Sequence, residues 1–370
     1  MLLLILLLEI GLVACGDNTA TPAATSAQVA NTSSSIPDAS KFKASLNGSG
    51  SSFAGPAFSA WQSAFGRQSP EVLVNYQPLG SGQGRSDFLS RKTDFGASDV
   101  QITTEEAQGS KRNLNDIVQI PLMLGAIVLA FDLNGVKELN FTLETVCGIY
   151  TSKITSWSDP KLKADNPSVS LPDIQIELVV RADKSGTTEV FTQYLSAICP
   201  EFKDKVGVSG LPDWKKLGLN VDAEPQNAGV AGLTSSILGA LGYVEQDYAV
   251  QRNLPYVALK NQSGKFIKPS TDNISAAASE LKDSAGLKLD LTNRAGENVY
   301  PIVATTYLLL NREYPDKTKG QAVVSFAQYI LGQGQRDVQK YTYIPLPASV
   351  LKMAQNKLNL ITAEGAFVLK

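Results

Sequence analysis

The sequence predicts an α/β protein of two lobes, on three observations. Short apolar runs of strand length, at 72–76, 117–131, 174–180 and 299–310, alternate with segments whose apolar residues recur at helical spacing. The chain has 370 residues, more than one typical domain needs. Two of the apolar runs, 117–131 and 300–308, are longer than an average strand and carry a proline near the start, Pro121 and Pro301. Such runs suit crossovers between lobes that share a hinge, and they suit two long core strands equally well. An apolar fraction of 43% with 18% charged residues is that of a globular protein. The formal net charge of -2 argues against a polyanion binder, so no nucleic acid is expected as a partner. Histidine is absent, which removes Ser-His-Asp and Cys-His catalysis and the commonest transition-metal ligand. That omission weighs heavily against a hydrolase, and no enzyme activity, cofactor or metal is expected.

At the N-terminus the apolar run 2–8 is interrupted by Glu9 and too short to span a bilayer comfortably. It is followed by Leu12-Val13-Ala14-Cys15, which resembles the lipobox of bacterial lipoproteins. Cleavage before Cys15 would make 1–14 a signal peptide and Cys15 the lipidated residue, although no Lys or Arg stands near Met1 as in the usual signal. Residues 15–44 turn to Ser, Thr, Ala, Asn and Pro with almost no apolar period, the composition of a flexible tether. Localisation is then extracytoplasmic, with the domain held at the membrane by lipid. Cys147 and Cys199 remain for a disulfide, which that compartment permits without requiring it.

Three loops along the chain share one construction. Residues 46–53, Leu-Asn-Gly-Ser-Gly-Ser-Ser-Phe, enter a helix with Pro56 in its first turn and Ala57, Phe58, Trp61, Ala64 and Phe65 on its apolar face. The strand 72–76 leads through Pro78-Leu79-Gly80-Ser81-Gly82-Gln83-Gly84 into a helix containing Phe88 and Leu89. The strand 174–180 delivers Arg181-Ala182-Asp183-Lys184-Ser185-Gly186-Thr187-Thr188, after which Val190, Phe191, Tyr194, Leu195 and Ile198 keep helical period. A helix N-terminus presents backbone N–H groups without intrahelical partners and the positive end of a dipole, so it receives an anion readily. Hydroxyls and the Arg181 fork add donors. Each loop taken singly also reads as a capped βα turn, and neither dinucleotide glycine spacing nor a Walker lysine is present.

A carboxylate qualifies this cationic picture. In Thr93-Asp94-Phe95-Gly96-Ala97-Ser98-Asp99 a short strand ends at Asp99, whose side chain either caps the following segment or points into the cleft. In the cleft it would repel a fully ionised oxyanion and accept a hydrogen bond from one that keeps a proton, as phosphate does and sulfate does not. Asp183 either holds the Arg181 guanidinium or caps its own helix.

Six motifs in order, Gly48-Ser49-Gly50-Ser51-Ser52-Phe53, Asn75-Tyr76-Gln77-Pro78-Leu79-Gly80-Ser81-Gly82, Asp94-Phe95-Gly96-Ala97-Ser98-Asp99, Arg181-Ala182-Asp183-Lys184-Ser185-Gly186-Thr187, Gly242-Tyr243-Val244-Glu245 and Tyr343-Ile344-Pro345-Leu346-Pro347, give the chain a resemblance to the periplasmic phosphate-binding proteins of bacterial phosphate ABC transporters. The resemblance spans 46–351 and implies a type II-like periplasmic-binding-protein fold with a hinge of two crossover strands. It divides the chain into a discontinuous lobe I, 45–123 plus 302–370, and a lobe II, 124–301. It implies inorganic phosphate as ligand, contacted by Ser52, Phe53, Ser81, Asp99, Arg181, Ser185, Gly186 and Thr187, with Asp183 orienting Arg181 from behind. It also implies a monomer that delivers phosphate to an ABC transporter permease and ATPase complex. Ser52 stands where the family commonly has Thr, and Phe53-Ala54-Gly55-Pro56 lacks an early proline.

Two other readings differ in their chemistry. A sulfate or molybdate binder of the same fold is disfavoured by the acceptor at Asp99. A serine acyl-transfer enzyme would use Lys184-Ser185-Gly186-Thr187 as a lysine box and Ser349-Val350-Leu351-Lys352 as the nucleophile pattern, but the order is reversed from that of penicillin-binding proteins.

Overall fold

A computed structural model of the chain describes residues 42–279 and 287–369. The expected signal peptide, Cys15 and nearly all of the tether lie outside these residues. Its centre is β4 (Ile117–Phe131), fifteen residues long and buried throughout. An apolar run with no polar alternation has no face to give to water, so it must be covered on both sides. The strands around it are β1 (Ala44–Gly50), β2 (Val72–Gln77), β3 (Phe95–Ser98), β5 (Glu177–Arg181), β6 (Val221–Glu224), β7 (Ala240–Glu245) and β8 (Val303–Asn311). Together they form an eight-stranded mixed sheet in the order β2-β1-β3-β8-β4-β7-β5-β6.

The two long runs are neighbours. β8 pairs antiparallel with the first two-thirds of β4, from Ile117 to Ala126, and β7 pairs antiparallel with the remainder, from Ile127 to Phe131. Outside this antiparallel centre β1 runs parallel to β2 and β3, and β5 runs parallel to β6 and β7. β4 therefore belongs to both halves of the sheet. The register between β4 and β8 shifts between Thr305 and Tyr307, opposite Pro121, which has no N–H to offer a ladder. Thr306, between those two residues, donates its hydroxyl to Asp99 at 2.7 Å.

The helices sit where the apolar period puts them. In α1 (Gly55–Gln68) Ala57, Phe58, Trp61 and Phe65 are buried, with Pro56 in the first turn as expected. Phe58 stacks on Tyr76 with ring centroids 3.8 Å apart, and the Tyr76 hydroxyl donates to the Ser51 carbonyl at 2.8 Å. α2 (Ser81–Leu89) follows β2, and α3 (Gly186–Ile198) follows β5. Val190, Phe191, Tyr194 and Leu195 of α3 are buried, and Phe191 stacks on Tyr243 of β7 at 4.4 Å. Both loops entering α1 and α3 thus stand on aromatic platforms. No helix among the described residues is long and apolar enough to cross a membrane.

Cys147 and Cys199 form a disulfide across a sequence separation of 52. A cross-link of that span removes loop freedom from the unfolded chain worth roughly 4 kcal/mol in the chain-entropy account. Replacing both cysteines with alanine is expected to lower the denaturation midpoint by a stability loss of up to about that size. An unchanged midpoint would show that the bond does not constrain the unfolded state.

Candidate functional site

All eight residues expected at the anion site, and the Arg181 guanidinium among them, are buried. On the side of β1 and β3, Asp99 follows the end of β3 and is 4% exposed. It does not cap the next helix, whose start at Thr104 is capped by Thr103 in a reciprocal box with Glu106. Its carboxylate instead collects three hydroxyls: Ser51 and Thr306 donate to Oδ1, and Ser81 donates to Oδ2 at 3.1 Å. Burial raises the Asp99 pKa, while these hydroxyls and the charge of Arg181 act in the opposite direction.

On the side of β5, Arg181 is equally well held. Its Nε donates to Asp183 Oδ1 at 2.8 Å and its Nη2 to Oδ2 at 2.5 Å, a bidentate pair. Asp183 is thereby the partner of Arg181, and the cap of α3 is Ser185, whose hydroxyl accepts from Thr188 N at 3.1 Å. The first N–H groups of α3, those of Gly186 and Thr187, are the ones a helix cannot satisfy internally. Behind the loop the Tyr243 hydroxyl pairs with Thr188 Oγ1 at 2.8 Å and accepts from Arg181 N at 3.3 Å.

The two sides meet closely. A methyl group on Gly186 would lie 2.4 Å from Ser81 Oγ and 2.7 Å from Asp99 Oδ2, so only glycine lets this helix start approach the carboxylate. Gly80 has φ +99°, and a methyl there would lie 2.1 Å from Asp183 Oδ2. Gly82 N donates to the Lys184 carbonyl at 2.9 Å. At the edge of the seam the buried Arg85 of α2 donates to Glu106 at 3.1 Å, to Ser98 at 3.0 Å and to Glu189 of α3 at 3.4 Å. On its other side Asp99 borders a cavity of about 370 Å³ walled partly by Val190, Leu289, Val303 and Tyr307.

Such an assembly offers directed donors around one buried acceptor. Ser349, the nucleophile of the acyl-transfer reading, is exposed near the start of the helix Ala348–Lys357.

Relatives give the arrangement its family. A model described as a PBP superfamily domain matches residues 18–333. The "Phosphate-binding protein PstS" of Haemophilus influenzae is 35% identical over 319 residues, covering 85% of this chain and 92% of its own length. The protein of the same name from Methanocaldococcus jannaschii is 33% identical over 320 residues, covering 81% and 82%. The chain belongs to the PstS family of the PBP superfamily. Solved structures carry the same two-lobed fold. A "Phosphate binding protein (PBP)" from Stenotrophomonas maltophilia superposes with a TM-score of 0.64 at 19% identity, over 84% of this chain and 93% of that one. A putative phosphate ABC transporter substrate-binding protein from Clostridium perfringens, solved with bound phosphate, gives 0.59 at 20% identity, over 82% and 100%.

Within this PstS-family chain, sequence reasoning missed several groups. Ser51, not Ser52, donates to Asp99. Ser52 instead faces the opposite side, where its hydroxyl accepts from Asn227 N at 3.2 Å and Asn227 Nδ2 at 3.1 Å, and its carbonyl accepts from the Tyr248 hydroxyl at 2.7 Å. Two adjacent serines in one glycine loop carried a hydroxyl signal, but which one turned which way was a matter of backbone path. Phe53 is buried, its carbonyl accepting from the Tyr343 hydroxyl at 2.6 Å. The Tyr343 hydroxyl also lies 3.2 Å from the carboxyl of the fully buried Glu245, and Glu245 accepts from Asp247 N at 3.0 Å.

Burial pushes the Glu245 carboxyl well above its usual value of 4.5. A raised folded-state pKa contributes stability that is complete below the ordinary carboxylate range and is lost as pH rises through the folded value. Unfolding free energy should therefore decline as pH rises above 4.5, and Glu245→Gln should flatten part of that decline in denaturant titrations. Asp99 and Asp247, also raised by burial, act in the same direction. An unaltered slope in the variant would mean that Glu245 titrates as it does in the unfolded chain.

Proposed function

We propose that the chain binds inorganic phosphate between its lobes and delivers it to the permease and ATPase complex of an ABC transporter. The family is one of phosphate-binding transport proteins, not of enzymes. The observation that carries the reading is the approach of the α3 start to Asp99, with Gly186 against the carboxylate. That approach sets a buried acceptor beside helix N-terminal donors and a clamped guanidinium. A phosphate that keeps one proton satisfies both kinds of group at once: its oxygens accept from Ser52, Phe53 N, Ser81 N at the start of α2, Arg181, Ser185, Gly186 and Thr187, and its proton goes to Asp99. A fully ionised sulfate or molybdate leaves the carboxylate facing like charge without a proton between them.

In this reading lobe I is 45–123 plus 302–370 and lobe II is 124–301, with β4 and the segment entering β8 as the hinge. Each lobe holds part of the donor set, so ligand favours the closed arrangement by its contacts to both. The protein acts as a monomer on the outer face of the cytoplasmic membrane or in the periplasm, anchored through a lipid on Cys15.

The test is calorimetric titration of the chain with phosphate, sulfate and arsenate. Phosphate and arsenate are expected to bind, and sulfate to bind at least 100-fold more weakly, about 2.7 kcal/mol. Equal affinity for sulfate would sink the assignment. Asp99→Asn is expected to weaken phosphate binding and narrow the gap to sulfate; unchanged relative affinities would remove Asp99 from the specificity of the site.

A further inference from the structure

Asn227 is the second residue of the helix α4 (Gln226–Thr234) and has no exposed surface. Its carboxamide has a defined orientation, because Oδ1 accepts from the Glu245 backbone N–H at 2.9 Å. Turned the other way, its amide hydrogens would face that N–H. The Nδ2 group therefore points to two hydroxyls, donating to Ser52 Oγ and to Thr187 Oγ1, both at 3.1 Å. Those hydroxyls stand on opposite sides of the cleft, one in the loop before α1 and one in the first turn of α3.

A hydroxyl has one hydrogen and two acceptor lone pairs. Ser52 Oγ receives two hydrogens from Asn227, from the backbone N and from Nδ2. Thr187 Oγ1 receives one from Asn227 and one from Arg181 Nη1, at 3.5 Å. With both lone pairs taken, each hydroxyl has only its own hydrogen left to offer. That is the polarity an oxyanion requires.

We infer that Asn227 is a positioning residue that makes Ser52 and Thr187 obligate hydrogen-bond donors and so joins the two sides of the phosphate site; this rests on the phosphate reading above. The turn that presents it is tied to the Arg181 clamp. Gln226 has φ +62°, a left-handed conformation that costs a non-glycine residue energy. Its N–H donates to Asp183 Oδ1 at 2.9 Å, the same oxygen that holds Arg181 Nε. One carboxylate thus sets both the guanidinium and the backbone that delivers Asn227.

The test is phosphate titration of Asn227→Ala, Asn227→Asp, Ser52→Ala and the double variant Asn227→Ala/Ser52→Ala, with folding followed by circular dichroism. Asn227→Asp keeps the size and the acceptor for Glu245 N but replaces the shared donor with an acceptor, which would draw the two hydroxyl hydrogens away from the ligand. Asn227→Ala is expected to weaken binding roughly 10- to 100-fold, and Asn227→Asp to weaken it more. Ser52→Ala should cost at least about 5-fold less in the Asn227→Ala background than in the native chain, because its hydrogen is no longer aimed. If Asn227→Ala does not fold, the isosteric Asp variant carries the comparison. Native-like affinity in Asn227→Asp, or strictly additive losses in the cycle, would reduce Asn227 to a packing residue and overturn the inference while leaving phosphate binding intact. Absence of phosphate binding by the native chain would instead sink the phosphate reading, and the inference with it.

Discussion

The cleft depends on keeping a carboxylate and a guanidinium both buried and both satisfied while leaving further donors unspent between them. An isolated buried charge is too costly to persist, so each is provided for on its own side. Asp99 receives the hydroxyls of Ser51, Ser81 and Thr306, and Arg181 receives both oxygens of Asp183. Neither charge therefore has to pair with the other. In the proposed reading the site is selective as well as attractive, because the hydroxyls that steady Asp99 leave it able to accept.

The elements that supply these partners come from distant parts of the chain. Thr306 comes to Asp99 because it continues the antiparallel register of β8 against β3, in which Tyr307 faces Ser98. Ser52 is met by Asn227 and Tyr248, roughly half a chain away. Arg85 spans the seam between Glu106 and Glu189. A long buried strand common to both halves of the sheet holds these contributions in register, since β4 pairs with β8 along one part and β7 along the other. Packing that is this close at Gly80 and Gly186 leaves no room for a side chain.

Much of the site was legible because its chemistry is local. The run from Arg181 to Thr187 carries its own strand, guanidinium clamp, cap and helix start within a few residues, and backbone geometry alone brings them together. The same holds for Ser81 after Gly80 and for Asp99 at the end of β3. The choice between cap and clamp for Asp183, and between cap and cleft for Asp99, was open in sequence because a carboxylate suits either. It was decided by competitors for the capping role, Ser185 and Thr103.

Sequence by itself determined the α/β alternation, the apolar faces of α1 and α3, the glycine loops and the types of group that could hold an anion, since these follow from periodicity and from the donors and acceptors each side chain owns. Tertiary structure alone decided which of Ser51 and Ser52 faces Asp99, brought Thr306 to that carboxylate, and set Asn227 between Ser52 and Thr187. It also joined Cys147 to Cys199, which the sequence had only allowed. The reason is common to all four. A hydrogen bond or a disulfide between residues far apart in the chain depends on the path of the backbone between them, and no local pattern records that path.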